Sequence, residues 1–178
     1  MADGDGTGFS VTLVSDREIV MTRLFNAPRR LVFEACTRAE HMRRWWAPAC
    51  VTMVVCEMDV RPGGTYRIIT RGLDGSEYPF TGVYREVVPP ERLVYTQRFD
   101  VEPFSRDEAI ITMTLEEHHG RTMMRSSILH ATPEARAAHV QSGMEVGAAE
   151  AYDQLEELLA SMAGAWPVAS QDAELRGR

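Results

Sequence analysis

Two spacings of apolar residues divide the chain. Between Val51 and His130 they recur mainly at every second position, and from Thr132 to Met162 at intervals of three and four. Alternation is the signature of a strand with one buried face, whereas a 3.6-residue repeat marks a helix. The clearest alternation runs from Ile110 to Glu117, with Ile111, Met113 and Leu115 directed inward and Thr112, Thr114 and Glu116 outward. Val51, Met53 and Val55 alternate with Thr52, Val54 and Cys56, and further strands are predicted around Tyr66–Ile68, over Tyr78–Val88 and Leu93–Phe99, and over Thr122–His130. Turn chemistry separates them: Arg61-Pro62-Gly63-Gly64, Asp74-Gly75, Pro89-Pro90 and His118-His119-Gly120-Arg121. Gly82 in mid-strand predicts a bend or bulge.

Upstream, Phe9 to Phe25 is rich in β-branched and apolar residues interrupted by Asp16-Arg17-Glu18, which predicts one long strand or two short pieces. Pro28 suits the first turn of a helix carried by Leu31, Val32 and Ala35. Thr37-x-x-Glu40 has the form of a capping box for a second short helix through Trp45-Trp46, which Pro48 stops. At the other end Thr132 is a good N-cap and Pro133 fits the first helical position. Val140, Met144, Ala148, Ala151, Leu155, Leu158, Leu159 and Met162 then form one apolar stripe, so a single helix is predicted from Thr132 to about Met162.

The order of elements sets the architecture. Hairpin-length links make the strands an antiparallel meander. A sheet with one apolar face must be covered, and only the last helix is long enough to do so. The expected fold is α+β: a curved sheet of about seven strands around one long C-terminal helix, with two short helices after the first strand. It occupies 9–163, with loose ends at 1–8 and 164–178. A strongly curled sheet gripping one helix encloses a concave space. The residues expected to line it are Trp46, Met53, Tyr66, Phe80, Tyr84, Ile111, Met113 and Met124, with Gly143 and Met144 from the helix. Methionine adapts to irregular space, whether the filling is core or an apolar guest. Gly143 and Gly147 would each cost a continuous helix about 1 kcal/mol relative to Ala, so close packing or space for a ligand is expected beside them.

A length of 178 residues suits one domain with a substantial core. The net charge of −7 disfavours nucleic acid and anionic membranes as partners. Cys36, Cys50 and Cys56 are odd in number and contain no Cys-x-x-Cys pair, so neither a disulfide framework nor a zinc knuckle is expected. The first residues resemble no signal peptide, and no apolar run approaches the ~20 residues needed to cross a bilayer; a cytoplasmic location is the expectation.

The chemistry-bearing residues form no known catalytic or metal motif, and no cofactor is expected. Trp45 and Trp46 read either as packing anchors between helix and sheet or as a ring at the cavity mouth. His130 ends the last strand and His139 lies near the start of the long helix, so the two could meet at one end of the cavity; His118-His119 belongs to a turn. Glu57 and Arg67 lie on strands and would form a pair of interest if both faced inward.

Several segments resemble one family. Phe25-Asn26-Ala27-Pro28-Arg29 with Val32-Phe33, Trp45-Trp46-Ala47-Pro48, Arg61-Pro62-Gly63-Gly64-Thr65-Tyr66, Gly82 to Thr96, and Gly143-Met144-Glu145 with Tyr152-Asp153-Gln154-Leu155 are similar to motifs of the Hsp90-ATPase-activator-homology group of the START/Bet v 1-like (SRPBCC) superfamily. The resemblance runs from about Arg17 to Met162. One departure is Arg38-Ala39, where many members carry Asp-Pro, read as a change of cap. The resemblance implies the helix-grip fold and usually a ligand cavity. It leads to the expectation that an apolar or aromatic small molecule is bound or sequestered. A cavity enzyme of the polyketide cyclase or hydrolase type, or a chaperone-associated module, stands as the alternative. A homodimer is also expected, from the family and from an exposed Trp45-Trp46-Ala47-Pro48 turn.

Overall fold

The computed structural model describes residues 8–165. Most of both expected loose ends, 1–7 and 166–178, lies outside the described residues. The chain runs β1 (Ser10–Leu13), β2 (Glu18–Phe25), α1 (Arg29–Thr37), α2 (Ala39–Trp45), β3 (Thr52–Met58), β4 (Thr65–Arg71), β5 (Glu77–Val88), β6 (Arg92–Phe99), β7 (Glu108–His118), β8 (Arg121–Leu129), α3 (Pro133–Gln141) and α4 (Met144–Ala165). One eight-stranded sheet results, in the order β1-β2-β8-β7-β6-β5-β4-β3, with every described pairing antiparallel. The eighth strand arises because a turn over residues 14–17, with Asp16 and Arg17 in it, splits the first apolar segment into two pieces that pair as a hairpin.

The sheet wraps α4. Ala151, Tyr152, Leu155, Leu158 and Leu159 are buried, the i, i+1, i+4, i+7 and i+8 positions of one helical face. They join a core with Phe25, Leu31, Val32, Phe33, Trp45, Ile68, Leu93, Leu115 and Met124. Polar ties fix the helix in this groove. Arg23 on β2, nearly buried, donates to Asp153 at 2.9 Å, and the Gln154 amide donates to the carbonyl of Ala47 at 2.9 Å.

Local turn chemistry accounts for the hairpins. Gly75 has φ +84° in the β4–β5 turn, and His119 and Gly120 both have positive φ in the β7–β8 turn, as a two-residue hairpin of the mirror-image type requires. Gly82 is needed for a closer reason: a Cβ there would stand 1.8 Å from the carbonyl oxygen of Thr96. The register shift that bends β5 falls just beyond it, between Tyr84 and Glu86.

Three expectations about helices require correction. The predicted single helix from Thr132 to Met162 is two helices. α3 begins as expected, with the Thr132 hydroxyl accepting from Ala135 N–H at 3.1 Å and Pro133 in the first turn. It ends at Gln141, because Gly143 adopts φ +79°, the left-handed conformation that closes helices. The apolar stripe continues across that break, which made the two look like one; Val140, on the expected stripe, is exposed. The capping box at Thr37 does not form: the hydroxyl donates back to the carbonyl of Phe33 at 2.7 Å, and Arg38 takes the cap position of α2 without a side-chain acceptor. Pro28 occupies the N-cap of α1, just before the first turn.

Candidate ligand cavity

α4 fills only part of the sheet's concavity. Beside its first two turns lies a cavity of about 550 Å³, within the ~300–1,000 Å³ typical of small-molecule sites. Each wall follows from the patterns above. Inward positions of β4 to β8 supply Tyr66, Ile68, Phe80, Tyr84, Leu93, Tyr95, Ile111, Met113 and Met124. The α2 end and the loop after it supply Trp46, Ala47 and Pro48, and α4 supplies Met144, Gly147, Ala148, Ala151 and Tyr152. Phe104 and Ser142 line the space and are themselves exposed, so the cavity meets solvent between the β6–β7 loop and the α3–α4 break.

Of the ten residues expected at the lining, Trp46, Tyr66, Phe80, Tyr84, Ile111, Met113, Met124 and Met144 border the cavity. Met53 and Gly143 do not. Met53 keeps its inward phase opposite Thr70 and packs against the core, while a register shift between Met53 and Val55 passes that phase to Cys56 and Met58, of which Met58 borders the cavity. Gly143 is exposed at the helix break, with no atom within 4 Å of a Cβ placed on it. Gly147, four residues on, is helical and does border the cavity, where a Cβ would meet only Pro48, at 3.9 Å. Tyr95 and Tyr152 also border the cavity beyond the expected ten: Tyr95 lies in the alternation Leu93-Tyr95-Gln97, and Tyr152 is four residues from Ala148 on the apolar stripe.

Aromatic rings dominate one wall. Tyr66, Tyr84 and Tyr95 form a mutual cluster with centroids 5.6 to 5.8 Å apart, and Trp46 meets Phe80 edge-on at 5.1 Å. Trp45 is buried, its indole N–H donating to the carbonyl of Ala35 at 2.9 Å. The Trp45–Pro48 segment therefore turns its rings inward, and the homodimer expectation loses the exposed surface on which it partly rested.

Polar groups are few and largely neutral. Burial pushes the phenols of Tyr66, Tyr84 and Tyr95 far up and that of Tyr152 to about 12. Burial likewise pushes the Cys36 thiol up to about 12, which leaves it protonated and unreactive. The hydroxyl of Tyr66 donates to the carbonyl of Thr96 at 3.0 Å. Those of Tyr84 and Tyr95 have no hydrogen-bond partner among the described residues, yet neither is sealed by protein. Glu57 and Arg67 stand opposite each other in the β3–β4 ladder and both face solvent, which removes them from the cavity.

At the open end the two histidines meet. His130, at the end of β8, and His139, on α3, line the cavity with His139 Nδ1 3.2 Å from His130 Nε2. Burial, then the charge of Arg136, lowers the pKa of His130; burial, then His130, pushes His139 down to about 4. Both imidazoles are thus neutral at neutral pH. Among the described residues no group of three metal-ligating side chains occurs, and no helix is long and apolar enough to cross a membrane.

A curved antiparallel sheet around a C-terminal helix, with a cavity between them, is the arrangement that the family resemblance implied. The model of the activator of Hsp90 ATPase homolog 1-like proteins matches residues 26–160. The chain belongs to this family. The chain is also similar in fold to solved structures of bacterial proteins. A Rhodobacter sphaeroides protein is 27% identical with a TM-score of 0.79, over 86% of this chain and 99% of its own. A Nitrosomonas europaea protein is 25% identical with a TM-score of 0.76, over 85% and 99%. One from Mycobacterium smegmatis is 25% identical with a TM-score of 0.73, over 84% and 97%. No curated protein matches the chain.

Proposed function

We propose that this protein binds an apolar or aromatic small molecule between the sheet and the first turns of α4. The observation that carries the reading is the cavity of about 550 Å³, walled by tyrosine, phenylalanine, tryptophan and methionine side chains. A well-packed domain leaves few voids larger than a water molecule, so a space of this size beside a helix that fills the rest of the groove needs a reason. Apolar walls with a few polar groups that fix orientation are the general form of a small-molecule site. The phenols and thiol that face the space stay neutral, which suits a guest without formal charge. The family supports the same reading, since its fold commonly encloses a ligand.

The test is displacement. An anilinonaphthalene dye should bind the freshly purified protein saturably, one per chain, and methylnaphthalene should displace it. Native mass spectrometry of the same preparation should show a co-purified small molecule or a vacant site that takes up the dye. A folded protein that binds neither compound would overturn the proposal, because the space would then be closed in solution.

A further inference from the structure

We infer that the preferred guest carries a neutral hydroxyl on its apolar body, and that the His130–His139 pair is the group that recognises it. The inference rests on the cavity-binding reading and names the chemistry of its ligand. The pair is joined through Nδ1 of His139 and Nε2 of His130 at 3.2 Å. Two neutral imidazoles carry two protons on four nitrogens, and one proton occupies the shared bond. Of the two remaining nitrogens, Nδ1 of His130 and Nε2 of His139, one therefore bears a hydrogen and the other a lone pair. With the opposite tautomer in both rings these roles are exchanged.

Neither remaining nitrogen has a partner among the described residues, and neither is sealed by protein. Both rings line the open end of the cavity. The pair thus carries an unused donor and an unused acceptor, on two rings that belong to different elements and line a space that is otherwise mostly apolar. A hydroxyl both donates and accepts, so it satisfies whichever nitrogen it reaches, in either tautomer. A hydrocarbon satisfies neither nitrogen and strips both of water, which is costly for buried polar groups. A carboxylate can only accept, and it would bring a charge beside phenols that burial keeps neutral.

The charged groups around the pair do not change this count. Arg136, on α3, directs its guanidinium to the carbonyl of Ser15 at 2.8 Å, and Arg17 reaches the carbonyl of Ala131 at 3.5 Å. Asp107, from the β6–β7 loop, lines the same cavity but forms no ion pair with either histidine. The depressed imidazole pKa values agree with a pair that stays neutral when it meets its guest.

The experiment compares three probes of one ring system: naphthol, methylnaphthalene and naphthoate, each by displacement of the dye at neutral pH. Naphthol is expected to bind about five- to tenfold more tightly than methylnaphthalene, the value of one net hydrogen bond, and more tightly than naphthoate. His139→Phe and His130→Phe should each abolish the preference for naphthol over methylnaphthalene. In nitrogen-15 spectra of the wild type, naphthol and not methylnaphthalene should shift the imidazole resonances. Equal affinity of naphthol and methylnaphthalene for the wild type, a preference that survives in the variants, or tightest binding of naphthoate would each overturn the inference while leaving the cavity reading intact. Failure of all three probes to bind would instead remove the cavity reading, and this inference with it. Because α3 contains no buried residue, His139→Phe decides the matter should His130→Phe fail to fold.

Discussion

The two halves of the α4 side of the molecule are built to different standards. From Ala151 to Leu159 the helix is core: Leu155 has no exposed surface, Leu158 and Leu159 almost none, and Tyr152 is enclosed by Phe9, Phe25 and Trp45. From Pro133 to Ala148 nothing is fully buried, although the apolar spacing is the same. The difference lies in what stands opposite. The C-terminal half of α4 faces α1, α2 and the sheet together, whereas the N-terminal half and α3 face the sheet across open space. An apolar stripe therefore shows which face of a helix is inward without showing whether the inside is filled. Packing is the property of the first region, and ligand chemistry the proposed property of the second.

Truncation should expose this contrast most strongly. Leu155→Ala is expected to cost about 2–5 kcal/mol, since it empties a site fixed on all sides. Met144→Ala, beside the cavity, should cost about 1 kcal/mol or less, because the side chain already borders space. Chemical denaturation of both variants measures the difference, and equal losses would erase the distinction between core and cavity.

Extremes of pH should act on the two regions separately. The His139 pKa lies near 4 in the folded protein against 6.5 for the ordinary imidazole. Between those values the unfolded chain binds a proton that the folded chain refuses, so stability should fall as pH drops through that window and level off below it. The slope is at most about 1.4 kcal/mol per pH unit for this histidine, with His130 adding in the same direction. Tyr152, held near 12 against an ordinary 10, gives the opposite branch: the unfolded chain loses its proton first, and stability should fall as pH rises from 10 to 12. Denaturation midpoints across pH read both, and His139→Phe should flatten only the acid branch.

The cap of α3 offers a smaller effect. Thr132→Ala removes the acceptor for Ala135 N–H and is expected to cost about 1 kcal/mol. Because α3 contributes little to the core, the loss should appear as faster amide exchange in α3 more than as a lower midpoint for the whole domain.

The fold was legible in the sequence wherever one local rule decided the outcome. Alternation placed Ile111, Met113 and Leu115, Thr132 with Pro133 opened α3, and Asp74-Gly75 turned the β4–β5 hairpin. The errors arose where two rules competed. At Thr37 a capping sequence lost to a back-bond to Phe33 because α1 continued through it. Beyond Met53 a bulge took Val55 off the inward phase and brought Cys56 and Met58 onto it, which alternation alone could not reveal. The histidine pair was visible only as two residues at the ends of neighbouring elements, since neither alternation nor helical spacing gives the distance between their rings.

The two glycines four residues apart bring the comparison to its finest point. In an unbroken helix both would cost about 1 kcal/mol, but they do different work. Gly143 holds φ +79°, so Gly143→Leu would force a branched residue into the left-handed region for a loss of about 1–2 kcal/mol, while placing nothing in the cavity. Gly147 is helical and faces open space, so Gly147→Leu should gain part of that 1 kcal/mol in helix propensity and leave the melting temperature unchanged or slightly raised. The same side chain would enter the cavity beside Pro48 and Met144 and should displace the dye. A stable Gly147→Leu that no longer binds, beside a weakened Gly143→Leu that binds as before, would place the ligand at the first turns of α4. If Gly147→Leu were instead destabilised by the 1–3 kcal/mol of an overpacked core, this half of the helix would be as full as the other, and the division between packing and binding would lose its structural basis.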